Sequence, residues 1–218
     1  MQKIIDTFFR IFQESKIRNL KSKFIMILPI VGYGDPVLRK IGDEISADYP
    51  NFKQLVVDMY ETMYNACGVG LAAPQIGLPI RMFIIDTEPF SDSDDLTDEE
   101  QKDLKVFKQT FINAKMITEE GEEWAFNEGC LSIPDVREDV IRNEKITIEY
   151  LDENFVCKKE TYDGLIARVI QHEYDHIEGI LFTDKISTLK KTLIKKKLQN
   201  IMEGKARPDY RMKFVKKR

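Results

Sequence analysis

The chain contains two histidines, and both stand in the six residues "QHEYDH", 171–176, four positions apart with a glutamate directly after the first. In a helix that spacing stacks His172 and His176 on one face. Leu165 and Val169 lead into them at the same spacing, so the imidazoles continue an apolar stripe, and Ile166, Ile170, Glu173 and Ile177 form the stripe beside it. A helix apolar on two adjacent stripes is buried on most sides. Residues 162–178 therefore read as a central helix with the rest of the chain built around it. That helix carries two imidazoles and a carboxylate into a poorly solvated interior, where each must find partners.

The remaining sequence supplies both helices and strands. Phe52, Leu55, Val56, Met59 and Met63 recur at helical intervals within residues 48–66, which predicts a packed amphipathic helix. Residues 81–86, 110–117, 145–151 and 155–161 read as strands, the last two joined as a hairpin by "DEN". The expected fold class is α+β, with small, mostly antiparallel sheets packed around the histidine helix and a further helix at the C-terminal end. Residues 88–108 form an acidic insertion, in which Thr97 and Glu100 make a capping box for a short exposed helix.

Charge divides the chain into three. Residues 1–25 carry six Lys/Arg against two acids, residues 190–218 carry twelve against two, and the middle is strongly acidic. We therefore expect an N-terminal amphipathic basic extension at 1–25, a catalytic body at 26–188 and a basic C-terminal helix and tail at 189–218. Three readings stay open for the extension: an upstream start codon ahead of Met26, a helix lying on a membrane or partner, or an organellar address. In the tail, Leu189, Leu193, Ile194, Leu198 and Ile201 are expected to dock one helix face. Residues from Gly204 onward are expected to be too basic and too poor in apolar residues to pack alone, and their removal is expected to leave hydrolysis of a free formyl-peptide nearly unchanged. No stretch of eighteen apolar residues and no secretory layout occurs, so no membrane span is expected and the cytoplasm is the expected location. Three cysteines are an odd number at unrelated spacings, which points to reduced thiols; Cys67 and Cys157 are expected to be small buried hydrophobes.

"HEYDH" fits H-E-x-x-H, in which two histidines one turn apart present nitrogens to one metal ion while the glutamate works on water. A third protein ligand is then required. Asp184 and Glu178 are candidates downstream, and Cys130, in "EGCLS", is a better one, because a thiolate is drawn onto a metal and loses its proton there.

Three blocks in order, "GVGLAAPQ" (68–75), "EGCLS" (128–132) and "QHEYDH" (171–176), resemble the signature motifs of peptide deformylase, over roughly residues 26–187. The resemblance implies an enzyme that removes the N-formyl group from the formyl-methionine of nascent polypeptides. It implies Cys130, His172 and His176 as ligands of one divalent metal, with Fe2+ expected and Zn2+ or Ni2+ also accepted. Glu173 would move the proton, and Gln75 with the backbone N–H of Leu131 would hold the oxyanion. Val69, Gly70, Gly129, Leu165 and Val169 would bind substrate, with Arg168 at the pocket's edge. Asp175 and Arg142 would pair beneath the histidines, unless they form a surface salt bridge. The ribosome is a candidate partner for the basic tail, with no sequence-specific nucleic-acid binding. Two rival readings are a metallopeptidase of another kind and a catalytically idle ribosome-binding module.

Overall fold

In a computed structural model, residues 25–93 and 95–215 are described. The amphipathic reading of the N-terminal extension lies outside them. The fold is α+β, as expected. Five strands form one antiparallel sheet in the order β2 (Gly70–Ala72), β3 (Met82–Asp86), β4 (Lys108–Cys130), β5 (Ile133–Leu151) and β6 (Cys157–Asp163). A second, two-stranded sheet pairs β1 (Ile30–Val31) in parallel with β7 (Met212–Lys213). The α-helices among the described residues are α1 (Phe52–Asn65), α2 (Asp98–Val106), α3 (Gly164–Ile177) and α4 (Thr188–Met202).

Strand β3 is buried on both faces, and its alternation sorts the core. Met82 and Ile84 join Val56, Met59 and Met63 of α1, while Phe83 and Ile85 join Ala167, Val169 and Ile170 of α3. The sheet is thus sandwiched between the two helices. A third apolar cluster joins Ile194 and Ile201 of α4 to Val136, Val140, Leu181 and Phe182. Helix α2, in the acidic stretch, is capped by Thr97 and Glu100 and contributes Leu104 as its buried residue.

The strands β4 and β5 run far beyond the segments legible in sequence, and bulges explain why. At the first bulge Asn113 takes a left-handed conformation, φ 52°, which asparagine tolerates better than most residues. Its side chain is fixed by Ile45, whose N–H donates to Oδ1 at 2.9 Å and whose carbonyl accepts from Nδ2 at 2.8 Å. Further register shifts at Met116/Thr118, Glu120/Glu123 and Gly129/Cys130 break the period-2 pattern that a strand reading relies on.

Two expectations are corrected. Cys67 and Cys157 are exposed: Cys67 makes the left-handed reversal after α1, φ 53°, and Cys157 opens the edge strand β6. Leu189 and Leu193 are also exposed, each at 71%, because α4 meets the body along Ile194 and Ile201. Residues 204–215, expected to be unable to pack alone, lie against the body through Ala206, Tyr210 and Phe214 and include β7. Asp175 and Arg142 form a buried pair, the first of the two readings that the sequence left open for them.

Phe111 is fully buried, stacked on Phe83 with ring centroids 4.6 Å apart and against Tyr150 at 4.4 Å. Phe111→Ala is expected to cost about 3–5 kcal/mol, measured as a lower urea midpoint with an unchanged slope.

Candidate metal centre

Helix α3 delivers His172, Glu173 and His176, and the end of β4 delivers Cys130. One ligand atom from each of Cys130, His172 and His176 lies within 4.8 Å of the others, and Cys130 Sγ is 3.3 Å from His176 Nε2. His172 has its Nδ1 engaged by Glu128 Oε2 at 2.9 Å, which leaves Nε2 for a metal and fixes the ring. Three convergent donors of one sulfur and two nitrogens would suit a soft or borderline divalent ion. The residues present therefore fit such an ion.

The downstream alternatives for a third ligand are committed elsewhere. Glu178 pairs with Arg81 at 2.5 Å, and Asp184 binds Arg39 and the Leu181 N–H.

Beneath the ligands lies a buried ionic network. Glu128 accepts Arg142 Nε at 2.7 Å, Arg142 Nη2 at 3.0 Å and Arg168 Nη1 at 3.2 Å, while Arg142 Nη1 reaches Asp175 at 2.6 Å. Arg168 also donates to the Trp124 carbonyl at 2.7 Å and lies 4.3 Å over the Trp124 ring. Burial would raise the Glu128 pKa, but hydrogen bonds from His172 and Arg142 outweigh it and hold the carboxyl well below its usual range. His176 moves down, first through burial and then through repulsion from His172.

Glu173 is 4% exposed, and its Oε2 has no partner within the protein. Burial pushes its pKa up to about 7. Its carboxylate lies against Gly70, where a Cβ would stand 2.4 Å from Oε1. Gly70 is thus required by the glutamate that faces it. Gln75 is buried in the short 3-10 helix Ala73–Ile76. The Ala72 N–H donates to its Oε1 at 2.8 Å, which settles the orientation of the amide and turns Nε2 toward Cys130 Sγ and Ser132 Oγ, each at 3.4 Å.

Residues 27–192 match the family model described as polypeptide deformylase. The chain belongs to that family. It is 75% identical over 193 residues to a peptide deformylase of Flavobacterium psychrophilum, covering 88% of this chain and 100% of that protein. To a peptide deformylase of Flavobacterium johnsoniae it is 74% identical over 190 residues, covering 87% of this chain and 97% of that one. The crystal structure of a peptide deformylase from Legionella pneumophila aligns with a TM-score of 0.69 at 36% identity, covering 84% of this chain and 99% of that chain.

Cys130 and His172 open onto a cleft of about 590 Å³ whose walls include Val69, Gly70, Gln75, Gly129, Leu131, Arg168, Val169 and Glu173. Leu165 is not among the lining residues: it sits one turn nearer the helix start and is half-buried. Phe90, Phe126, Arg137 and Arg207–Tyr210 also line the cleft, and none of them was marked as site residues in the sequence. Glu128 was legible in principle, since an acid heading the cysteine block is an unusual residue to bury. Tyr210 carried no local signal.

Glu128→Gln is expected to weaken metal affinity about 10- to 100-fold, as loss of a carboxylate behind a histidine ligand does; competition with a chelator measures it. Gly70→Ala is expected to displace the Glu173 carboxylate while leaving metal content at the wild-type level. Activity should then fall while metal analysis is unchanged.

Proposed function

We propose that this chain deformylates N-formyl-methionyl peptides with Cys130, His172 and His176 as metal ligands and Glu173 as the proton carrier. Peptide deformylases are metalloenzymes that act on formylated nascent peptides, and this chain is an enzyme of that family. The observation that carries the assignment of roles is the buried, unpartnered Glu173 oxygen beside the three-ligand cluster. A divalent ion there supplies Lewis acidity toward water and the formyl carbonyl.

The protein residues account for the remaining needs of the reaction. Glu173, lifted toward neutrality by burial, takes a proton from the attacking water and returns it to the leaving amine. Gln75 Nε2, aimed by the Ala72 N–H, and the backbone N–H of Leu131 receive the charge that develops on the formyl oxygen. The formyl group ends as formate, and the peptide leaves with a free amino terminus. Val69, Gly70, Gly129 and Val169 flank the methionine, with an extended substrate laid along β2 in the manner of an added strand.

The metal is proposed to be Fe2+, with Zn2+ or Ni2+ as substitutes that the same donors accept. The catalytic body is taken as 26–188, working in the cytoplasm. Among the described residues no helix is long and apolar enough to cross a membrane. Lys195 and Lys196 stand exposed on α4 and suit contact with ribosomal RNA, which would otherwise repel the acidic body.

Cleavage of formyl-Met-Ala-Ser with no cleavage of an unformylated internal peptide is the expected activity; cleavage of the internal peptide would point to a different metallopeptidase. Glu173→Ala is expected to keep the metal and lose about 10²-fold or more in kcat, whereas His172→Ala is expected to lose the metal. Full metal retention in the His172 variant would overturn the ligand assignment. Iron-loaded enzyme should lose activity in air while nickel-loaded enzyme persists; equal aerobic lifetimes would count against iron.

A further inference from the structure

Beyond α4 the chain turns back along the body and pairs with β1. The Ile30 and Gly32 N–H groups donate to the Arg211 and Lys213 carbonyls, each at 2.9 Å. The Phe214 ring lies over Gly32, where a Cβ would meet it at 2.8 Å. These contacts anchor the far end of residues 205–215, and their middle, Arg207–Tyr210, lines the same cleft as Cys130 and Glu173. The segment lies outside the stretch matched to the family, which ends at residue 192.

Tyr210 reaches deeper than its neighbours. It is half-buried, and its hydroxyl donates to the Leu131 carbonyl at 2.7 Å. Leu131 and Ser132 are the two residues that turn β4 into β5. The same turn is held on its other side by the Tyr33 N–H, which donates to the Ser132 carbonyl at 2.8 Å. The Leu131 carbonyl lies in the rigid peptide plane it shares with the Ser132 N–H, so holding it limits rotation about ψ of Leu131 and, through that, the freedom of the adjoining plane that carries the Leu131 N–H. Arg207 and Asp209, by contrast, are exposed at the mouth of the cleft. Arg207 is steadied there by donating Nη1 to the Gly204 and Ala206 carbonyls at 2.6 and 2.8 Å. A methionine held against Val69 and Val169 leaves the following residues of a peptide to pass this rim.

We propose that residues 205–215 form a strap that completes the peptide-binding cleft, with Tyr210 as a positioning residue for the Leu131 turn and Arg207–Asp209 as the wall met by substrate residues after formyl-methionine. The inference rests on the deformylase reading and adds to it a specificity element outside the three sequence blocks. It also reverses the expectation that removing the tail leaves hydrolysis unchanged.

The test is steady-state kinetics of the metal-loaded full chain and its variants on formyl-methionine amide and on a formylated hexapeptide. Tyr210→Phe keeps the ring and removes the hydroxyl, and is expected to lower kcat on both substrates about three- to tenfold, the worth of one hydrogen bond, with KM and metal content unchanged. A chain ending at Gly204 is expected to raise KM for the hexapeptide about fivefold, a contact or two, and to leave KM for the amide unaltered. Phe214→Ala, which loosens the anchor without touching the cleft, should reproduce that KM difference in part and serves if the shortened chain does not fold. Wild-type kcat in Tyr210→Phe would overturn the positioning role. KM values that stay put, or rise equally for both substrates, would overturn the wall. A wild-type enzyme inactive on both formylated substrates would instead overturn the deformylase reading itself.

Discussion

A carboxylate sealed inside a domain is costly unless its charge is matched and its lone pairs are filled, and Glu128 is matched by Arg142, Arg168 and His172 together. Those partners come from two other elements: Arg142 from β5, and Arg168 and His172 from α3. The network therefore ties the two long strands to the central helix at one point. Sliding β4 by one residue would turn Glu128 to the opposite face and strand two guanidinium groups. Cys130 lies two residues beyond Glu128 on the same strand, so the register that satisfies the ions also sets the thiol against the histidines.

The second constraint is the closeness of β2 to α3. Gly70 has no Cβ, and the Glu173 carboxylate occupies the space where one would be. The other carboxylate oxygen, Oε2, is buried without a hydrogen-bond partner in the protein, and Glu173 lines the cleft. The same strand leads within three residues to Gln75, whose amide is oriented by its own backbone through Ala72. Glu173 and Gln75, the groups proposed to handle the proton and the oxyanion, are in this way positioned by separate backbone devices.

The central helix and α1 were legible from their apolar periods, which also gave their burial, and α2 from its capping box. The convergence of Cys130 with His172 and His176 was legible because two short blocks, distant in sequence, carry chemically unusual residues. The β4–β5 hairpin was only partly legible. Its bulges shift the alternation several times, and its middle is acidic and exposed, so no continuous two-residue pattern survives. Cys67 failed for a related reason: a left-handed reversal carries it out of a core that its residue type suggested.

What the sequence determined by itself is the chemistry: a single histidine pair at helical spacing, a glutamate between them, and a cysteine and a glutamine in blocks that have few other reasons to occur. Local pattern suffices there because helical geometry alone brings His172, Glu173 and His176 together. The tertiary structure decided which groups stand behind and around them. Arg142 and Arg168 become partners of one buried acid, and Tyr210, in a basic tail with little apolar content, becomes part of the cleft wall. Such contacts join residues tens of positions apart through strand register and chain return. No periodicity in one segment encodes where another segment will come to rest.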